Sequence, residues 1–340
     1  MKIVVFGPAH RVGVLAGNDI VDVEYASAKL AREVESEPLP YAVAASRAPS
    51  SLEAFITLGD RAIEAAEKAV EYAARTGDRL GPRGEPLFFP FASAGVHAPL
   101  AHRGVKIAMA GANYADHLFD MMRAQNPNVT MDEVRAQSRQ RGIGGFWKLS
   151  AFVVDPEAEI TYPAKTEYLD YEGEVSLIIG RPARDVRGAD AHAYIWGYTL
   201  QNDWSARDQR DASIGGLSFN SQKNWDCSSS IGPIISVGEI KDPQDIPFQT
   251  KVNGQVRQDG NTRDMTFSFA EYIEYLTRDL TFMPGDMISA GTCQGTAMDQ
   301  TPRVEGGGFT DKKRFLNPGD VVEVSSPELG VLRNKVVSKP

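Results

Sequence analysis

Three acidic residues in two predicted strands have the types and spacing to bind a metal ion together. Glu172 and Glu174 stand two apart in the segment 169–180, which continues into Val, Leu and Ile. Because side chains two apart in a strand point to one face, both carboxylates are predicted to emerge side by side, with Gly173 facing the other way. Asp203 follows a second predicted strand, where that strand gives way to a loop. Buried carboxylates require a cation, since an unpaired buried charge is strongly destabilising.

The ligand types indicate which metal to expect. Three carboxylates with no nearby Cys or His suit a hard divalent ion, so we expect Mg²⁺ or Mn²⁺, with Ca²⁺ as an alternative. A different interpretation is that Glu172 and Glu174 lie on the wet side of an amphipathic strand and that Asp203 caps a helix. A zinc site at His97 and His102 is a further alternative, but these two lie in a Pro/Gly-rich segment rather than on one helical turn.

Composition excludes several classes of protein. The 340 residues carry a formal net charge of −9 with no basic block to neutralise phosphates, so nucleic acid is not expected as a partner. Hydrophobic residues at 42% and charged residues at 24% are ordinary globular proportions. The two cysteines form no disulfide framework. No signal-peptide core and no run of about 20 apolar residues is present, so we expect a cytoplasmic location and no membrane partner.

The predicted elements divide the chain near residue 100. Residues 1–100 are expected to form a small N-terminal α+β domain, in which a three-stranded meander precedes one helix and a Pro/Gly-rich linker. The meander strands are predicted at 2–6, 11–15 and 20–23. The helix is expected to begin at Ser50, with Glu53 completing a capping box, and to end at Gly77.

Residues 101–340 are expected to form an α+β, strand-dominated catalytic domain. A buried strand is predicted at 105–111, and a polar helical stretch at about 118–145 has the composition of a lid. A second capping box, formed by Ser268 and Glu271, is expected to start a helix that continues to Leu280.

Short motifs follow one another in one order between about residues 105 and 330. They are NYADH (113–117), FWK (146–148), LDYEGE (169–174), GYT (197–199), NDWSARD (202–208), KNWD (223–226), IGP (231–233), VNG (252–254), PGD (284–286) and GT (291–292). As a set they resemble the fumarylacetoacetate hydrolase superfamily. That resemblance implies a strand-rich mixed β-sandwich roll, a smaller and more variable N-terminal domain, and a homodimer.

The resemblance also implies roles for individual residues. It assigns Glu172, Glu174 and Asp203 as the metal ligands that the strand spacing had suggested separately. It implies that His117 is catalytic, with Asp120 at the position where many members have Glu. The remaining implied site residues are Lys223 as a catalytic group, and Arg207, Lys148 and Thr292 at the substrate.

The reaction implied first is hydrolysis of a carbon–carbon bond in a β-diketone or acylpyruvate-type substrate, through a metal-bound enolate. His117 and Asp120 would activate the water, while Arg207 and Lys223 would bind the carboxylate end of the substrate. Decarboxylation, isomerisation or dehydration of a 2-oxo acid on the same site is the alternative, as is a non-catalytic family member. The expected partner is therefore a small oxo acid or diketone.

Overall fold

The computed structural model of the chain describes residues 1–99, 104–123, 126–209, 216–304 and 308–339. Its strands are β1 (Lys2–Phe6), β2 (Arg11–Ala16), β3 (Asp19–Asp22), β4 (Phe88–Pro90), β5 (Val96–His97), β6 (Lys106–Ala110), β7 (Gly145–Leu149), β8 (Val153–Val154), β9 (Glu159–Thr161), β10 (Leu169–Asp170), β11 (Gly173–Ile179), β12 (Ile195–Asp203), β13 (Ser205–Ala206), β14 (Ser229–Ser236), β15 (Pro247–Val252), β16 (Gln255–Asn261), β17 (Met287–Thr292), β18 (Val321–Ser326) and β19 (Gly330–Val337). Its α-helices are α1 (Val23–Glu33), α2 (Pro40–Arg47), α3 (Leu52–Leu58), α4 (Asp60–Thr76), α5 (Ala115–Arg123), α6 (Met131–Arg141), α7 (Gly216–Lys223), α8 (Phe269–Leu276) and α9 (Ala297–Gln300). The predicted strand-rich α+β fold is confirmed. None of the helices described is long and apolar enough to cross a bilayer.

Most strands join one mixed sheet of twelve. Its order is β4-β3-β2-β1-β14-β12-β11-β17-β6-β7, with β5 beside β1 and β8 beside β14. The pairs β14–β8 and β17–β6 are parallel, and the other pairs in this sheet are antiparallel. A second sheet has the order β16-β15-β18-β19-β9, and β10 pairs with β13 alone.

The large sheet is covered on both faces, which explains why every residue of β11 is buried. Val175 and Leu177 pack in a core with Phe248 of β15 and Val324 of β18, so the five-stranded sheet covers this face. Ile178 points the other way, into a core that includes residues of α3 and α4. This arrangement buries the carboxyl-bearing start of β11 between two layers.

Gly173 lies where the large sheet meets the five-stranded sheet. A Cβ at this position would stand 2.1 Å from Thr250 Oγ1 and 3.2 Å from Val324 Cγ1. Gly173→Ala is therefore expected to lower the free energy of unfolding by about 1–3 kcal/mol through overpacking. Gly144→Ala is the control, because a Cβ there would meet nothing within 4 Å. Urea denaturation measures both, and equal stabilities for the two variants would contradict this close approach.

The N-terminal strands extend the large sheet rather than forming a separate one. β1 pairs with β14 through Lys2 opposite Ser236 and Ile3 opposite Ile235. The predicted meander is present, although its third strand ends at Asp22, which caps α1 by accepting a hydrogen bond from the Tyr25 N–H. The domain boundary near residue 100 stays a prediction.

The helix predicted from Ser50 to Gly77 is two helices. Gly59 separates α3 from α4 with a φ of 59°, a left-handed value that an α-helix does not continue through. The capping box predicted at Ser50 is not formed, because α3 is preceded by Ser51 and the Ser50 N–H donates to Glu24.

The helix predicted from Ser268 is present, and the single polar helical stretch predicted within 118–145 is two helices, α5 and α6. The predicted box of Ser268 and Glu271 caps α8, which ends at Leu276, earlier than expected. Thr130 and Glu133 form a further capping box on α6, whose Val134 is fully buried. The proposal that this stretch is a lid stays a prediction.

Candidate active site

Neighbouring strands bring the three predicted metal ligands together. Glu174 lies near the start of β11, and Asp203 is the last residue of the adjacent β12. The Asp203 N–H donates to the Glu172 carbonyl at 2.9 Å. One ligand oxygen from each of the three carboxylates lies within 4.8 Å of the others, and all three residues are buried. The convergence is observed, and the role as metal ligands stays a prediction.

The segment 169–180 is not one continuous strand. Asp170 pairs with Ser205 in the separate β10–β13 ladder, and β11 begins only at Gly173. Glu172 therefore lies in the break between two strands, where its N–H is bound by the Asn202 side chain at 3.0 Å.

Two lysines neutralise part of this acidic cluster. Lys223 Nζ donates to Glu172 Oε2 at 2.6 Å, to Asp203 Oδ2 at 2.8 Å and to Ser205 Oγ at 2.6 Å. Lys148 Nζ donates to Asp203 Oδ1 and to the Lys223 carbonyl. Burial lowers the pKa of Lys148, against the opposing effect of Asp203. Burial also disfavours charge on Lys223, but Asp203 and Glu172 raise its pKa overall.

Arg207 supplies a third buried cation. Its Nη2 donates to Glu172 Oε1 at 2.6 Å and its Nε donates to Asp170 Oδ2 at 2.9 Å. Burial alone would raise the pKa of Glu172, but Arg207 and Lys223 hold it below the ordinary value. The predicted substrate-side cations Arg207 and Lys148 therefore contact the acidic cluster directly, and their contact with a substrate stays a prediction.

Glu174 is the acid in this cluster without a cation at hydrogen-bond distance among the residues described. Its Oε2 accepts a hydrogen bond from Ser289 Oγ. Burial, together with the charges of Asp203 and Glu172, raises the pKa of Glu174 well above its ordinary value. A hard divalent cation between the three carboxylates would offset this excess of negative charge, so the donor set fits Mg²⁺ or Mn²⁺.

His117 is oriented by a carboxylate from a distant part of the chain. It lies on α5 and is buried, and its Nδ1 is 2.9 Å from Asp299 Oδ2. Asp299 lies on α9, where the same oxygen accepts the N–H groups of Gly295 and Thr296, each at 3.1 Å. Burial alone would lower the pKa of His117, but the Asp299 carboxylate raises it above the ordinary value. The charge of Glu172 also helps to raise the pKa of His117, and the charge of His117 helps to lower the pKa of Glu172.

The predicted pairing of His117 with Asp120 is not among the side-chain hydrogen bonds of the described residues, in which the partner of His117 is Asp299. Asp120 follows His117 by three residues on α5, but it lines a cavity of about 240 Å³ beside Arg123 and Arg303. Burial, and then the charge of Asp299, raises the pKa of Asp120. The capped α9 supplies the carboxylate that the sequence had assigned to Asp120, whose own role in catalysis stays a prediction.

Thr292 ends β17 opposite Glu174. Its Oγ1 donates to the Gly173 carbonyl at 2.9 Å and accepts a hydrogen bond from Gln258 Nε2 at 2.7 Å. These contacts fix the backbone beside the acidic cluster, and a contact with substrate stays a prediction.

Sequence reasoning missed Asp299, Ser289 and Gln258 as parts of this site. The spacing of Thr296 and Asp299 is that of a capping box, which indicates a helix start but not which side chain lies opposite. His97, considered for zinc, is instead bound by Asp155 Oδ2 at 2.8 Å, and His102 lies outside the described residues.

The chain is similar to known proteins in both sequence and fold. Residues 106–337 match the family model described as fumarylacetoacetate (FAA) hydrolase C-terminal. The chain is 31% identical over 290 residues to oxaloacetate tautomerase YisK of Bacillus subtilis, covering 85% of this chain and 87% of that protein. It is 30% identical over 290 residues to the mitochondrial oxaloacetate tautomerase FAHD2A of Homo sapiens, covering 85% and 80%.

Two solved structures agree with the fold. The 2-hydroxyhepta-2,4-diene-1,7-dioate isomerase of Mycobacterium marinum is 30% identical with a TM-score of 0.56, covering 76% of this chain and 85% of that one. A fumarylacetoacetate hydrolase of Exiguobacterium antarcticum is 24% identical with a TM-score of 0.66, covering each chain fully, and shows the fold alone.

Proposed function

The chain belongs to the fumarylacetoacetate hydrolase family, and we propose that it is an enzyme interconverting the keto and enol forms of a small 2-oxo acid. Oxaloacetate is the first substrate to test, because both curated relatives described above are named for it. The structural observation that carries the proposal is the buried His117–Asp299 pair beside the acidic cluster. Hydrolysis of a carbon–carbon bond stays a prediction, with less support than this isomerase alternative.

The proposed reaction moves one proton and breaks no bond between heavy atoms. In the keto form a proton leaves the carbon next to the 2-oxo group, the electron pair forms a carbon–carbon double bond, and the carbonyl oxygen takes up a proton. The reaction therefore requires a base facing that carbon and positive charge facing that oxygen, and it consumes no water.

His117 has the arrangement of the base. An Nδ1–H that donates to Asp299 fixes the tautomer in which Nε2 carries the lone pair. Nε2 can then accept the proton from carbon and return it in the reverse direction. The Asp299 carboxylate stabilises the imidazolium that forms when Nε2 has taken up the proton. Its negative charge lies beside Nδ1, on the side of the ring away from Nε2.

Glu172, Glu174 and Asp203 would hold a divalent cation. Such a cation supplies Lewis-acid polarisation of the 2-oxo carbonyl. Lys148 and Lys223 orient Asp203 through their hydrogen bonds and place buried positive charge beside the same cluster. The positive charge of the two lysines would stabilise the negative charge that develops on the substrate oxygen.

The test follows the enol absorbance of oxaloacetate with the Mn²⁺-loaded protein. The proposal predicts that enol loss accelerates in proportion to enzyme concentration and that no pyruvate is released. An acylpyruvate is tested in parallel. Cleavage of the acylpyruvate without acceleration of oxaloacetate tautomerisation would overturn the proposal in favour of the predicted hydrolase.

Asp299→Asn is expected to shift the pH dependence of turnover. Asp299 raises the pKa of His117 above its ordinary 6.5, and only the deprotonated ring can accept a proton, so activity should rise as pH increases through that pKa. The Asn variant loses the charge that raises the pKa, so the acidic limb of kcat/KM should move to lower pH. An unchanged acidic limb would contradict the pairing.

A further inference from the structure

Asp170 belongs to the LDYEGE motif but has no role in the reaction proposed above. Its side chain is fully buried and its two oxygens accept four hydrogen bonds. Oδ1 accepts the N–H groups of Tyr171 at 2.9 Å and Ala297 at 2.8 Å. Oδ2 accepts the Met298 N–H at 3.0 Å and Arg207 Nε at 2.9 Å. These donors come from three separate segments of the chain.

Two of those segments lead to the two halves of the candidate active site. The guanidinium bound by Asp170 also donates to Glu172 Oε1 at 2.6 Å, so Asp170 fixes the arginine that orients one metal ligand. The two amides bound by Asp170 open α9, the short helix that carries Asp299. Asp299 in turn holds His117. A single carboxylate thus lies between the metal-binding acids and the acid–base pair.

We propose that Asp170 is a positioning residue that couples the acidic metal cluster to the His117–Asp299 pair. It touches neither set of reacting groups and acts through Arg207 and the first turn of α9. Neutralising it would leave Arg207 with Glu172 as its one carboxylate partner among the described residues and would weaken two buried amide hydrogen bonds. The functional meaning of this coupling rests on the proposed function, whereas the measurements below do not require that oxaloacetate is the substrate.

Asp22 provides a matched control elsewhere in the fold. Like Asp170 it is fully buried, it is ion-paired with an arginine, Arg11, and it accepts a helix-capping N–H, from Tyr25 at 2.9 Å. It is the last residue of β3 and the N-cap of α1, in the N-terminal part of the chain. Asp22→Asn therefore removes a comparable buried charge and cap without acting on the candidate site.

The experiment compares Asp170→Asn, Asp22→Asn and the unmodified protein with two readouts. Titration calorimetry with Mn²⁺ gives the metal affinity, and NMR of the metal-free protein gives the pKa of His117. Asp170→Asn should raise the Kd for Mn²⁺ by about 10-fold to 100-fold, the usual effect of removing a partner that orients a ligand. It should lower the pKa of His117 as Asp299 is released. Asp22→Asn should lower Tm and leave both readouts unchanged.

Any other combination of results would overturn the proposed coupling between the metal cluster and the His117–Asp299 pair. If Asp170→Asn lowers Tm but moves neither readout, Asp170 is only structural, and if it moves one alone, the two halves are not coupled through it. Should that variant fail to fold, Asp170→Glu keeps the charge and displaces the carboxylate, and it must move both readouts in the same directions. Failure of the unmodified protein to bind Mn²⁺ is distinct, because it overturns the metal site of the proposed function itself.

Discussion

Glu174→Gln is expected to abolish measurable Mn²⁺ binding and to reduce turnover by more than about 100-fold. Glu174 is the acid of the cluster with a hydroxyl partner, Ser289, and no adjacent cation in the described part of the chain, so its charge is the one a metal ion would balance. Glutamine keeps the shape of the side chain but offers a neutral, weaker ligand. Calorimetry and the oxaloacetate assay measure the two effects.

The same substitution should make the stability of the metal-free protein less sensitive to rising pH. The raised pKa of Glu174 means that the folded state holds this proton more tightly than the unfolded state. The resulting stability is complete below the unfolded pKa and is lost as pH rises through the folded pKa. Metal-free Glu174→Gln should therefore lose less stability than the unmodified protein as pH rises. Glu159→Gln, at an exposed position, is the control for both effects. Undiminished Mn²⁺ binding by Glu174→Gln would contradict the proposed metal site.

His117→Asn is expected to lower kcat by about 10²-fold to 10⁴-fold, the range for removing a general base. Mn²⁺ affinity should be retained, because His117 is not among the proposed ligands. Steady-state kinetics and calorimetry on the same preparation separate the two effects.

Two further variants identify which carboxylate serves His117. Asp299→Asn should reduce kcat because it removes the bonded partner, whereas Asp120→Asn should have little effect. A large loss on Asp120→Asn with full activity of Asp299→Asn would restore the pairing that the sequence suggested and contradict the one observed.

The acidic cluster was predictable because strand periodicity is local. Glu172 and Glu174 are two residues apart, and that spacing predicts neighbouring carboxylates. The carboxylates do converge, although Glu172 precedes β11 rather than lying in it. The partner of His117 was not predictable in this way. Asp299 is 182 residues away, and the capping pattern around it contains no information about what α9 packs against.

The fold shows the same limit. Runs of β-branched residues separated by turn residues predicted the strands of the N-terminal meander. Such runs do not encode which strand lies alongside, so the pairing of β1 with β14 is known only from the structure. The break at Gly59 depends on the backbone conformation of that one residue. Apolar residues recur at helical spacing on both sides of Gly59, so the sequence pattern gives no sign of the break. The homodimer and the cytoplasmic location remain predictions from the sequence.

An anomalous difference map from crystals soaked in Mn²⁺ would show whether a metal ion lies among the three carboxylates. We expect one strong peak between the carboxylates of Glu172, Glu174 and Asp203, and no such peak in crystals of Glu174→Gln. A map with no peak among these three side chains, or with its peak elsewhere in the molecule, would contradict the metal site and the chemistry built on it.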